Sequence, residues 1–210
     1  MQHSALNTAP IAGSAVAGST VDAIDRTRGD QYRFLACLLA SPPSAQMLTA
    51  IAALAPEPTA FGDAVKAVAR AAATTSQPDV AREHFELFVG VGRGELLPYA
   101  SFYQTGFLNE RPLADVRADL ARFGVARQEQ RFEPEDHIAL LLEVMADMTQ
   151  GHIPAGRDRQ QAFFNRHLAP WAAQFFDDLA VAPTAAFYRP VAEVGRLFVD
   201  IETRGFTLAA

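Results

Sequence analysis

Three groupings in this 210-residue chain are of types that could do chemistry. The stretch EPEDHIALLLEVM at 133–145 sets Asp136 and His137 side by side at the head of an apolar run. Such a pair suits acid–base work or, with a hydroxyl such as that of Ser101, nucleophilic catalysis. GVGRGE at 90–95 offers glycine backbone that could approach a phosphate closely. The carboxylates Glu135 and Asp136, taken with the aromatic block of Tyr99, Phe102 and Tyr103, could receive a cation and an apolar group together.

The enzymatic readings lack their usual context. The glycine loop follows a helical pattern instead of a strand, has no Lys-Ser/Thr ending, and meets Pro98, so a structural or hinge role is expected; a nucleotide-binding hydrolase using loop 90–95 with Asp136 or His137 is the alternative. Ser101 lies in PYASFY without a GxSxG turn, and adjacent Asp and His on one helix diverge by about 100°, too far to orient each other. A carboxylate-bridged metal pair needs a Glu three residues before a His, but Ala81, Pro134, Thr149 and Phe164 hold those places before His84, His137, His152 and His167. No catalytic residue, metal or bound cofactor is expected.

The elements that must position these residues read as helices. Proline and acids at 133–136 suit the first turn of a helix, so EPED is expected to open one. Ile138, Leu141, Leu142 and Met145 then form a buried stripe, with Asp136 nearly opposite and facing solvent, and His137 on the flank. Further helices are expected at 21–40, stopped by Ser41-Pro42-Pro43; from Ser44; at 59–74; at 79–89; from Pro112 to Gly124; at 157–180 with a kink near Pro170; and at 184–203. Strand-like alternation is nearly absent. The expectation is an all-α, single-domain bundle of about eight to ten helices over 21–210, preceded by a disordered tail at 1–20.

Composition narrows the partners. A formal net charge of −6 and a pI near 5.3 argue against nucleic acid and fit a cationic partner. The single cysteine, Cys37, sits in the apolar run YRFLACLLA and cannot form an internal disulfide, which suits a reducing cytoplasm. The first twenty residues lack the basic start and apolar core of a signal peptide, and no stretch approaches the ~20 apolar residues of a membrane span.

HFELFVG at 84–90, LPYASFYQTG at 97–106, FGV at 123–125 and EPEDHIA at 133–139 resemble, in order and spacing, the TorD/DmsD/NarJ family of redox-enzyme maturation chaperones. The resemblance spans about 84–148. It implies a TorD-like, non-enzymatic cytoplasmic chaperone that binds the twin-arginine signal peptide and apo-form of a molybdenum-containing oxidoreductase and delays export until the cofactor is inserted. It places the residues matching Asp136 and His137 on the peptide-binding surface, together with Tyr99, Ser101 and Tyr103 of the aromatic block; Glu135 adds a second carboxylate. Tyr99-Ala100-Ser101 replaces the Trp-Gly-Ser of some relatives. The LPYASFY form is similar to chaperones of formate dehydrogenases, with dimethyl sulfoxide and trimethylamine N-oxide reductases as other clients. Relatives include monomers and domain-swapped homodimers, for which the loop before Glu133 would serve as hinge. A scaffolding subunit of an oxidoreductase is a third reading.

Overall fold

The computed structural model describes residues 7–8, 22–126 and 133–208. The expected tail at 1–20, apart from Asn7 and Thr8, and the expected hinge before Glu133 lie outside the described residues. The fold is all-α, with ten α-helices among the described residues. They are α1 (Ala23–Ala40), α2 (Ala45–Ala52), α3 (Ala60–Thr74), α4 (Gln77–His84), α5 (Ala100–Thr105), α6 (Arg111–Arg122), α7 (Ile138–Thr149), α8 (Arg157–His167), α9 (Ala172–Val181) and α10 (Tyr188–Leu208). One π-helical turn, Phe85–Val89, continues α4. Two short strands, β1 (Asn7–Thr8) and β2 (Val125–Ala126), pair antiparallel.

Local chemistry explains most boundaries. Ser44, Thr59 and Ser76 cap α2, α3 and α4 by accepting the amides of Met47, Gly62 and Asp79. Pro78 and Pro112 sit in the first turns of α4 and α6, where a missing N–H costs nothing. The segment expected as one kinked helix at 157–180 is two helices, because Pro170 supplies no amide and disfavours helical backbone at the residue before it. EPED is also not a first helical turn. It folds as a turn ahead of α7, with the His137 amide donating to Pro134 O at 3.1 Å, and the helix starts only at Ile138.

The chain divides into two compact units, each built from two separate stretches. The first comprises residues up to Ala36 and Tyr99–Pro170. At its centre α7 is buried at every one of its 12 residues, the pattern of a helix walled in on all sides. Two acids, Glu143 and Asp147, lie within it. Asp147 is neutralised by Arg33 at 2.6 Å and touches His152 Nδ1 at 3.1 Å. A Cβ on Gly29 of α1 would stand 2.6 Å from Gln150 Cγ, so glycine there permits the close approach of α1 to the end of α7.

The second unit comprises Cys37–Pro98 and Trp171–Ala210. Here α10 packs on α9 and α3, and α3 on α2. Its core is aromatic: Tyr188 meets Phe88 edge to face at 5.4 Å and Phe187 at 5.3 Å, and Phe175 meets Phe176 at 5.1 Å. Glu83 closes this unit by accepting the backbone amides of Ala186, Phe187 and Tyr188 at 2.8, 3.0 and 2.8 Å.

Candidate functional site

The turn at 133–137 and the start of α5 form one constellation within the first unit. Backbone pairing brings them together: Tyr99 and His137 make an isolated antiparallel bridge, and the Ala100 amide donates to Asp136 O at 3.0 Å. That pairing turns Asp136 inward. The side chain expected to face solvent is fully buried, and its Oδ2 accepts the Ser101 amide at 2.8 Å. The expectation failed because it extended α7 backwards through residues that are not helical.

His137 is buried as well and caps α7, its Nδ1 accepting the Ala139 amide at 3.1 Å. An accepting Nδ1 carries no proton, so the ring is the neutral Nε2-H tautomer while the cap is intact. Tyr99 packs edge-on to this ring at 5.2 Å, and its hydroxyl donates to Glu133. Burial first, then the Glu133 contact, pushes the Tyr99 phenol well above its ordinary value, so it remains a neutral donor. Glu135 is buried and held by Arg117 Nε at 2.9 Å, which commits its charge within the protein.

Tyr99, Ser101, Glu135, Asp136 and His137 are thus gathered in one place. Tyr103 lies one turn further along α5, half-buried against Phe102 at 5.9 Å. Arg117 and Glu133 enter the constellation without having been singled out as site residues. Glu133 stood in the EPED motif, whereas Arg117 carries no sequence signal, since a lone arginine on an amphipathic helix looks like any solvated charge.

Two atoms are unfinished. Among the described residues, Asp136 Oδ1 and Ser101 Oγ are buried without a hydrogen-bond partner. A buried carboxylate oxygen left unpaired costs free energy, so this spot favours any donor that reaches it, a guanidinium above all.

Elsewhere in this unit His167 Nε2 lies 2.7 Å from Asp119, which also meets Arg122 at 2.6 Å and Arg166 at 3.1 Å. Burial pushes the His167 imidazole below its ordinary value despite the carboxylate. Two shallow clefts of about 320 and 400 Å³ flank this cluster and share Arg166. Among the described residues no three His, Cys, Asp or Glu side chains are grouped to hold a metal ion.

The glycine loop in the second unit folds onto its own backbone. The amides of Glu95 and Leu96 donate to Glu86 O at 3.0 Å and Leu87 O at 2.8 Å, and a Cβ on Gly94 would stand 2.6 Å from Leu87 O. Gly90 has φ 62° and would drive a Cβ into Arg93 O. These glycines close the loop after the π-helical turn, which accounts for them without a phosphate.

The family model described as nitrate reductase delta subunit matches residues 54–177, more than half of the chain. The chain belongs to this family, that of TorD and NarJ. Among curated relatives, the chaperone protein TorD of Aliivibrio fischeri is 25% identical over 139 residues, covering 61% of this chain and 65% of that one. TorD of Vibrio parahaemolyticus is 28% identical over 138 residues, covering 61% and 64%. The chain therefore spans just under two thirds of the length of these relatives, which are named as chaperones and not as enzymes. A solved structure of a candidate redox enzyme maturation protein from Archaeoglobus fulgidus aligns with a TM-score of 0.56 at 19% identity, over 89% of this chain and 99% of that one. At that identity the likeness establishes the TorD-like fold. No described helix is long and apolar enough to cross a membrane.

Proposed function

We propose that this chain is a cytoplasmic chaperone that binds the twin-arginine signal peptide of a molybdenum-containing oxidoreductase, with a formate dehydrogenase as the client suggested by LPYASFY. It would hold the apo-enzyme back from export while the cofactor is inserted. The observation that carries this reading is the pair of unpartnered buried atoms, Asp136 Oδ1 and Ser101 Oγ, beside the exposed carboxylate of Glu133 and the half-buried ring of Tyr99. Family membership and the TorD relatives support the same reading.

A guanidinium suits this spot chemically. It brings several donors and a charge to a carboxylate that already commits one oxygen to Ser101, and its flat face can lie against Tyr99. Opening is required, since Asp136 is fully covered. The turn at 133–136 lies outside the helices and is the element whose movement would uncover it. Calorimetry of the full chain with a synthetic leader tests the proposal. Micromolar or tighter binding that collapses when both arginines become alanine is expected; no heat with any molybdoenzyme leader would refute it.

A further inference from the structure

The face shared by α6 and α8 carries a positive excess that runs against the charge of the whole chain. The two clefts flanking His167 lie at successive levels along α6, one beside Arg111 and Asp115, the other beside Asp119, Arg122 and Arg159, and Arg166 lines both. Asp119 is shared by Arg122 at 2.6 Å and Arg166 at 3.1 Å, and Arg166 also reaches Asp115 at 3.0 Å. Arg111 is a loose and exposed partner of Asp115 at 3.8 Å. Arg159 is exposed, and its side chain has no hydrogen-bond or ion-pair partner among the described residues. His167 adds no cation at neutral pH, because burial lowers its imidazole. Four arginines thus stand against two aspartates, in a chain whose formal net charge is −6. Beside Arg122 and Arg159 the cleft is lined by half-buried Phe123, which meets buried Phe163 at 6.2 Å.

Unspent positive charge in a cleft attracts an anion, and the layout selects the kind. A single phosphate or carboxylate reaches one cleft and leaves the other empty-handed. From Arg111 to Arg122 α6 rises about 16 Å, at about 1.5 Å per residue. An extended peptide advancing about 3.3 Å per residue covers that distance in roughly five residues. The chain's own first twenty residues contain no Asp or Glu and cannot supply the acids. We propose that this face binds an extended acidic segment of a partner protein, with carboxylates about five positions apart on Arg111 and on the Arg122–Arg159 pair, and an apolar side chain on Phe123. Arg166 lies between the two ends and is held in place by Asp115 and Asp119. The site shares no residue with the Asp136 constellation and stands whether or not a leader binds there.

Fluorescein-labelled Gly-Ser peptides carrying two Glu-Glu pairs and one Phe, all of the same net charge, test this by fluorescence anisotropy with the full-length chain at about 50 mM salt. Affinity should be greatest when roughly four to six positions separate the acidic pairs, and should fall about two- to fivefold when they are adjacent. Arg159→Gln and Arg111→Gln should each weaken the best peptide by about two- to fivefold, and together they should flatten the spacing profile. The melting temperature of the double variant should stay within about a degree of the parent, because both side chains are exposed and neither closes a buried contact. Equal binding at every spacing, parental affinity in the double variant, or no binding of any acidic peptide at about 1 mM would overturn the proposal. Displacement of the best peptide by inorganic phosphate or a nucleoside triphosphate, with Arg111→Gln without effect, would make the second cleft a small-anion site and refute the peptide groove.

Discussion

The buried carboxylates of Glu83 and Asp136 both accept backbone amides, and they are finished to different degrees. Glu83, in the second unit, commits both oxygens to three amides of the turn that opens α10. Asp136, in the first unit, commits Oδ2 to Ser101 and leaves Oδ1 with no partner among the described residues. Glu83 is a completed clamp that stabilises its unit. Asp136 keeps one buried oxygen unpaired, at a cost in free energy that a further donor would remove, and it is on this difference that the proposed leader site rests.

The largest effect is expected when the clamp is removed. Glu83→Ala orphans the buried amides of Phe187 and Tyr188, at about 1–3 kcal/mol each, so a loss of roughly 2–6 kcal/mol in urea unfolding is expected. The molecules that remain folded should bind leader with parental affinity. A mild effect on stability would place Glu83 and Asp136 in the same class.

Asp136→Asn gives the opposite signature. Asparagine keeps an acceptor for the Ser101 amide and removes the charge, so stability should change by less than about 1 kcal/mol in either direction. Leader affinity should fall by roughly 10- to 100-fold, as when one charged partner of a hydrogen bond is neutralised. A full loss of folding with Asn would make Asp136 a second clamp.

Acid should distinguish the surroundings of the two sites more gently. His84, next to Glu83, is buried, its Nε2 has no partner among the described residues, and burial lowers its pKa against an opposing hydrogen bond from the ring to the Leu39 backbone carbonyl. A histidine with a folded pKa below its unfolded value near 6.5 contributes stability above that pH and loses it as pH falls through the folded value. The melting temperature should thus decline by a few degrees on going from pH 7 towards pH 5, and less steeply in His84→Phe. An unchanged slope in that variant would assign the acid sensitivity to other groups, His167 first.

The smallest effect is expected from Tyr99→Phe. It removes the hydroxyl that meets exposed Glu133 and keeps the ring on His137, so stability should move by no more than about 1 kcal/mol and affinity by a few-fold. A greater loss of affinity than in Asp136→Asn would shift the centre of the site from the aspartate to the tyrosine.

Much of the architecture was legible from spacing. Caps at Ser44, the stop at Ser41-Pro42-Pro43 and the proline start at Pro112 are local signals, and the helices begin or end beside them. α5 was not legible as a helix: six residues with no side-chain cap and aromatic content have no periodicity to read. The exposure of Asp136 was misread for a related reason. An acid beside a proline ahead of an apolar run fits an N-terminal helical turn as well as it fits a turn before a cap, and both cost little locally.

Neighbours within a turn or two along the chain set where helices start and stop, which runs must be buried, and the ordered motifs that mark the family. Packing between distant segments is what leaves α7 without a solvent face, turns Asp136 inward beneath Ser101, and makes Glu83 rather than any motif residue close the second unit. Those outcomes rest on hydrogen bonds between residues 35 and about a hundred positions apart. A lone acid carries no record of which distant amide it will meet, because that partner is set by how the helices pack and not by spacing along the chain.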